Sequence, residues 1–425
     1  MLVGGPALVV GWRGAIVVHT AAAVPWVVLM VGVGLRLAEP ELEEEALLDA
    51  TPLGVFRRVT LRRAAEAAVV AFVWVAVATA GEMTVTDLFL IRTYAEEIYT
   101  QFAMGDTPQE AAWSLLPSVI AMAWIIAGGL FIANRAIPRD RHVSQREARV
   151  FRLGRWRGAA SALTIGAVGF LALIPAVSLA IKAGRVVTRG AEGFVRIWSG
   201  EQCLAMIISS PLRFSREFGW TLAIGGLSAT AAVAIGLPLA WSARRGGWRA
   251  MVAWLTVAVC LAVPGPLVGL GLIALFNAPE MRWLSWLYDH SIAAIWIAQT
   301  LRGLPLCTLV LWYALRTIPG EMLTIATLDG AAPLARFFRI VLPQRLNAVG
   351  AAWLVALAIA WGELAAGILV VPPGVITLPI QIFGLIHYGV DDQVAGVSLF
   401  VMGVILVMAT VVGVQAFARR KQRDE

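Results

Sequence analysis

The sequence predicts an all-α, polytopic transmembrane bundle of about nine spans, and three observations carry that prediction. Hydrophobic residues make up 59% of the chain and charged residues 14%, with a mean hydropathy of +0.79. An ordinary soluble domain has about a quarter of its residues charged. The apolar stretches are long and unbroken rather than alternating, and a bilayer core of about 30 Å takes roughly 20 residues of helix to cross. Arg collects in short connections beside those stretches, so the net charge of +7 reads as membrane topology rather than as a nucleic-acid surface.

In chain order the spans fall at about 14–36, 64–81, 113–135, 158–181, 219–241, 250–276, 291–315, 347–371 and 393–417. Residues 135–157 hold eight Arg, residues 242–249 hold three, and the chain ends ARRKQRDE. If the spans alternate, these stretches share one side, which the charge bias makes cytoplasmic; the C-terminus is then inside and the N-terminus outside. The opposite connections, roughly 82–112, 182–218, 277–290 and 372–392, are longer and less basic. Within them FLIRTYAEEIYTQF and QCLAMIISSPLRF suit short surface helices. Cys203, Cys260 and Cys307 lie far apart, without disulfide or metal-ligand spacing. The opening MLVGGPALVVGW lacks the basic start of a cleavable signal.

The most informative stretch is RTIPGEMLTIATLDGAAPLARFFRIVLPQR, from Arg316 to Arg345. Pro319 and Glu321 suit a helix start, and Asp329-Gly330 suits its end, where Gly allows the left-handed residue. Pro333 opens a second helix in which Leu334, Phe337, Phe338 and Val341 fall on one stripe, with Arg336 and Arg339 off it. Pro343 is expected to stop it. Such a helix-Gly-helix elbow presents an apolar face that nothing obvious in its own chain covers, as a docking surface would.

At these residues the chain resembles the permease subunits of binding-protein-dependent ABC importers, whose cytoplasmic loop reads Glu-Ala-Ala, then Gly, and further on Leu-Pro. The matching positions are Thr324-Ile325-Ala326, Gly330 and Leu342-Pro343, so the Glu and the first Ala are replaced. The resemblance rests on Ala326, Asp329-Gly330, Pro333, Phe337 and Leu342-Pro343, and with Glu321 and Phe338 these form the expected ATPase-coupling loop. It implies an ABC ATPase partner, expected as a dimer, and an extracytoplasmic substrate-binding protein, around a permease in the bacterial inner membrane.

Residues Arg36 to Arg63 repeat the pattern. Ala46, Asp49, Pro52, Phe56 and Leu61 match Ala326, Asp329, Pro333, Phe337 and Leu342, and Gly81-Glu82 match Gly362-Glu363. Thr20, Pro25, Arg36 and Glu41 likewise match Thr300, Pro305, Arg316 and Glu321. Gly330 has no counterpart, and Arg62 stands where Pro343 does. The run Glu43-Glu44-Glu45 covers the family's Glu position and reads as a solvated face favoured by the helix dipole. The chain therefore divides into a first permease unit at 1–135, a basic linker at 136–157 and a complete six-span unit at 158–425. The first unit is expected to lack its three leading helices, and its coupling loop to be degenerate.

No G-x-x-x-x-G-K-[ST] occurs, and Lys stands only at 182 and 421, so any ATP is bound by a partner and no cofactor or resident metal is expected in this chain. Glu82 and Glu363 are expected inside apolar helices, where an ionisable group either lines a path or fixes helix packing. The segment 358–389, with Gly362-Glu363-Leu364, Pro372-Pro373-Gly374, Thr377-Leu378-Pro379 and His387-Tyr388-Gly389, is similar to the ferric-iron branch of the family. His387 is read as interfacial rather than as a ligand. A secondary transporter using Glu82 and Glu363 as ion sites is the alternative, and an intramembrane enzyme lacks any Ser-His, Ser-Lys, paired-Asp or H-E-x-x-H constellation. Replacing Gly330 with Val is expected to uncouple ATP hydrolysis from uptake, measured as ATP consumed per substrate moved.

Overall fold

The protein was analysed as a computed structural model, which describes residues 10–36, 40–93, 95–97, 100, 108–136, 154–190, 193–244 and 247–424. Most of the expected linker, residues 137–153, lies outside the described residues, as does part of the expected surface helix at 89–102.

All nine expected spans are helical: Gly11–Arg36, Leu61–Ala80, Pro108–Ala136, Arg157–Ala183, Ser215–Arg244, the pair Gly247–Ala262 and Gly265–Phe276, Ala293–Arg316, Leu346–Gly362 and Asp391–Asp424. By length and composition five candidate spans among the described residues can cross a bilayer, or seven if each bent pair is one span. The helices at 61–80 and 108–136 have shorter apolar stretches, Ala67–Ala80 and Leu116–Phe131.

Two expected spans are not continuous. The helix over 250–276 turns by 104° between Ala262 and Gly265. Pro264 has no N–H to continue the ladder and takes an extended conformation, with ψ at 153°. The helix over 347–371 ends at Gly362, and residues 365–370 form turns. A two-stranded antiparallel hairpin, Arg185–Gly190 with Gly193–Trp198, adds strand to the all-helical expectation. Its β-branched and aromatic residues around a Gly-containing turn are the usual hairpin signal. The expected surface helix at 202–214 forms as Gly200–Arg213, capped by the Ser199 side chain.

The described residues group into two compact units, 1–151 with 222–375, and 152–221 with 376–425. In the larger unit a core of Ala229, Ala232, Ala240, Cys307, Leu311, Trp312, Leu315, Val341, Ala352 and Ala356 joins three helices and the second arm of the second elbow. Small residues set the spacing. A Cβ on Gly303 would meet Ala356 at 3.4 Å, so helices 293–316 and 346–362 lie nearly backbone to backbone. In the smaller unit the helix at 391–424 packs on those at 157–183 and 200–213. There Gly396 faces the Met206 backbone so closely that a Cβ would approach its carbonyl oxygen to 2.9 Å. Thr221 Oγ1 accepts the Leu378 N–H at 2.7 Å, and Phe218 meets Phe400 edge-on at 5.8 Å.

The internal repeat is visible as structure. In both copies the helix before the elbow packs along the helix after it, 11–36 with 61–80 and 293–316 with 346–362. Pro40–Asp49 corresponds to Gly320–Leu328, and Pro52–Val55 to Pro333–Arg336. A wider, π-helical turn follows in each, Phe56–Thr60 and Phe337–Val341. It closes with Leu61 N–H donating to Phe56 O and Leu342 N–H to Phe337 O. Arg62 has an N–H where Pro343 has none, so the wide turn belongs to the repeat and is not forced by proline.

The Glu run is not wholly solvated. Glu43 is buried and accepts a 2.5 Å hydrogen bond from Thr60 Oγ1, while Glu44 and Glu45 are exposed. At the aligned positions the second copy has Leu323 and Val341, which pack together in the core. Thr60→Val is expected to cost about 1–3 kcal/mol by leaving the Glu43 carboxyl without its donor. Glu43→Leu with Thr60→Val is expected to regain most of that, read as the thermal midpoint of the purified protein.

Candidate functional site

The second elbow ends its first arm in a reciprocal pair of backbone bonds. Ala331 N–H donates to Ala326 O at 3.0 Å and Gly330 N–H to Thr327 O at 3.1 Å, with Gly330 at φ +75°. This is a Schellman stop, which needs a left-handed residue at Gly330. A β-branched residue there would cost roughly 1–2 kcal/mol of backbone strain. The arms are tied across the bend by Arg336 donating to Thr327 Oγ1 and Gln344 Nε2 to Met322 Sδ at 3.3 Å.

The expected stripe divides. Val341 is fully buried and Phe337 packs against the core, where it meets Trp241 edge-on at 5.2 Å. Leu334 and Phe338 point away and are 71% and 57% exposed, as are Ile325 and Leu328 on the first arm at 59% and 81%. The exposed apolar face of the elbow is therefore Ile325, Leu328, Leu334 and Phe338, with Phe337 beneath it. Ala326 is buried inside the bend, Leu342 is half-buried, and Glu321, Asp329, Pro333 and Pro343 are exposed. Pro343 does not stop the second arm, which runs on to Gln344.

The first elbow exposes Leu48, Leu53, Phe56 and Leu61. Asp49 and Pro52 are exposed beside them and Ala46 is half-buried. The Thr51 side chain caps its second arm by accepting the Gly54 N–H, a role that Ala332 lacks in the other copy. The loop without its glycine thus keeps a folded elbow and an apolar face.

Glu82 and Glu363 do not lie inside helices, as expected, but just beyond helix ends at Ala80 and Gly362. Their carboxylates supply acceptors where the backbone ladder stops. Glu82 accepts from Thr84 N–H at 2.6 Å and Val85 N–H at 3.0 Å. Glu363 Oε1 accepts the Ala366 N–H at 2.9 Å, and its Oε2 pairs with Arg302 Nε at 3.1 Å. His19 Nε2 lies 3.9 Å from Glu82 Oε2. Both carboxylates therefore hold structure together.

Sequence reasoning passed over Arg302, although an Arg in the middle of an apolar span is itself a signal. It pairs with Glu363 and donates from Nη1 to Val263 O at 3.1 Å, at the 104° break. A Cβ on Gly81 would lie 3.7 Å from its Nη2. One guanidinium thus meets the ends of three helices, one of them from the first copy. His387 is exposed, with its ring Nδ1 2.9 Å from the Phe383 carbonyl oxygen. Among the described residues no three His, Cys, Asp or Glu cluster to hold a metal ion.

Residues 232–423 match the family of binding-protein-dependent transport system inner membrane components. The matched stretch contains the second elbow, Arg302 and Glu363, and agrees with the resemblance read from the elbow. The putrescine transport system permease protein PotI of Escherichia coli K12 is 27% identical over 207 residues, 48% of this chain and 73% of the relative. A putative 2-aminoethylphosphonate transport system permease protein, PhnV of Salmonella paratyphi A, is 25% identical over 190 residues, 44% of this chain and 69% of the relative. The maltose/maltodextrin permease protein MalF of Salmonella typhimurium is 29% identical over 180 residues, 38% of this chain and 33% of the relative.

Glu363 is 8% exposed and Arg302 21% at the side chain. Arg302→Ala is expected to cost about 3 kcal/mol, because it strands a buried carboxylate. Glu363→Gln in the same chain should recover part of the loss, measured as the yield and thermal midpoint of folded protein in detergent.

Proposed function

We propose that this chain is the membrane-spanning permease subunit of an ATP-driven importer, coupled through its cytoplasmic elbows to a separate ATPase and supplied by an extracytoplasmic binding protein. The observation that carries the reading is the second elbow: a Gly-stopped bend inside the permease-family stretch, with Ile325, Leu328, Leu334 and Phe338 turned out of the bundle. The Arg-rich connections support an orientation with the elbows and the C-terminus on the cytoplasmic side. ATP-driven closure of the partner would push on the elbows and tilt the helices rooted in them.

We take the cargo to be ferric iron, on the similarity of segment 358–389 to that branch of the family; iron is cargo here and not a bound cofactor. The relatives named above carry the names of putrescine, 2-aminoethylphosphonate and maltodextrin systems instead. Uptake of radiolabelled ferric ion and of putrescine into the same proteoliposomes separates the ferric-iron reading from a putrescine cargo. The secondary-transporter alternative gains nothing from Glu82 and Glu363, whose oxygens serve backbone N–H groups and Arg302.

The test of the permease assignment is purification in mild detergent from the native membrane, where an ATPase is expected to travel with the chain; its consistent absence would overturn the assignment. Phe338→Asp is expected to release that ATPase while leaving the permease folded. Phe337→Asp is expected instead to lower the thermal midpoint, since it drives a charge against Trp241 and the core.

A further inference from the structure

The second elbow's root carries an arrangement that docking alone does not require. The elbow joins the bundle at two points: Thr317-Ile318-Pro319 before its first arm, and Gln344-Arg345-Leu346 after its second. Arg345 Nη2 donates to both Thr317 O and Thr317 Oγ1, at 3.2 Å each, so the two attachment points are tied to each other. Arg244, the last residue of the helix Ser215–Arg244, donates from Nη2 to Ile318 O at 2.9 Å and ties in a third helix. Its guanidinium also lies 5.2 Å over the Trp241 ring, which meets Phe337, which meets the exposed Phe338. On the other branch buried Arg316 lies 5.1 Å over Trp312, which meets Trp254 on the helix Gly247–Ala262 at 4.9 Å.

Resting on the permease reading, we infer that Arg244 and Arg345 are positioning residues that make the second elbow and helices 215–244, 293–316 and 346–362 one rigid block, so that a push on the elbow is delivered to those helices rather than absorbed at its root. The turn at Thr317-Ile318 is the natural hinge, because helix 293–316 ends there and Pro319 cannot extend the ladder. Its two carbonyls would otherwise be free to swing. Planar guanidinium groups hold them from two sides, with several donors each in a fixed fork. At the position aligned with Arg345 the first copy has Ala64, a buried side chain without donors. The guanidinium of Arg345 thus has no counterpart at the aligned position of the first copy.

The experiment uses full-length protein in lipid nanodiscs, with the three native cysteines replaced by Ala and spin labels on Thr324→Cys in the elbow and Leu227→Cys on the lipid-exposed face of helix 215–244. A control pair on Leu227→Cys and Leu354→Cys spans helices 215–244 and 346–362 without crossing the elbow root. The unaltered root is expected to give one narrow separation for each pair. Arg244→Gln with Arg345→Gln is expected to broaden the elbow pair and leave the control pair narrow, with Arg345→Lys alone giving a lesser loss. An elbow pair that stays narrow in the double variant, or a control pair that broadens with it, overturns the clamp. The measurement needs no ATPase, so failure of an ATPase to co-purify sinks the permease reading separately. With a co-purifying ATPase present, ATP spent per cargo moved should rise about tenfold in the double variant, within the range seen for residues along a coupling network.

Discussion

Every break in a helix within hydrocarbon leaves backbone N–H and C=O groups that water cannot reach, and each unsatisfied group costs several kcal/mol. Much of this structure follows from that constraint. The helix ending at Gly362 is followed by Glu363, which accepts the Ala366 N–H, and the helix ending at Ala80 by Glu82, which accepts those of Thr84 and Val85. The sharp turn after Ala262 leaves the Val263 carbonyl to Arg302. At these three stops a charged side chain stands ready to take up backbone groups that the ladder leaves. Charged residues in apolar runs are therefore not by themselves evidence of a transport path.

This explains which parts of the fold were legible in the sequence. The apolar runs located the helices, because length and hydropathy are properties of the chain alone. The elbow was legible because Gly330, Pro319 and Pro333 each carry a local backbone requirement. The repeat was legible as a run of matched residues broken by a single-residue shift. Arg302 was not read, since its role depends on helix ends that lie 39 and 61 residues from it in sequence. The stripe 334, 337, 338, 341 was read as one exposed face because an α-helical wheel places it so. The wide turn from Phe337 to Val341 and the packing of Trp241 split it between core and surface.

The Glu43-Thr60 pair shows how two copies of one fold diverge without losing it. An apolar contact, Leu323 with Val341, and a hydrogen-bonded one fill the same place in the two elbows. The exchange is tolerable because both partners changed. A buried carboxyl with a hydroxyl donor 2.5 Å away is satisfied, and the same carboxyl facing Val would not be. The π-helical turn, conserved in form across Pro343 and Arg62, is the part of the elbow that neither copy has altered.

The two elbows are alike in shape and differ at one root position, where Ala64 stands for Arg345. Both expose apolar side chains, so both could meet a partner surface, and the missing glycine has not unfolded the first. A docking surface determines whether force is received, and its mounting determines where that force goes. A root tied by Arg244 and Arg345 would turn a push on the second elbow into a tilt of helices 215–244, 293–316 and 346–362. Such a tilt suits a path that must open on one side while its other side stays sealed.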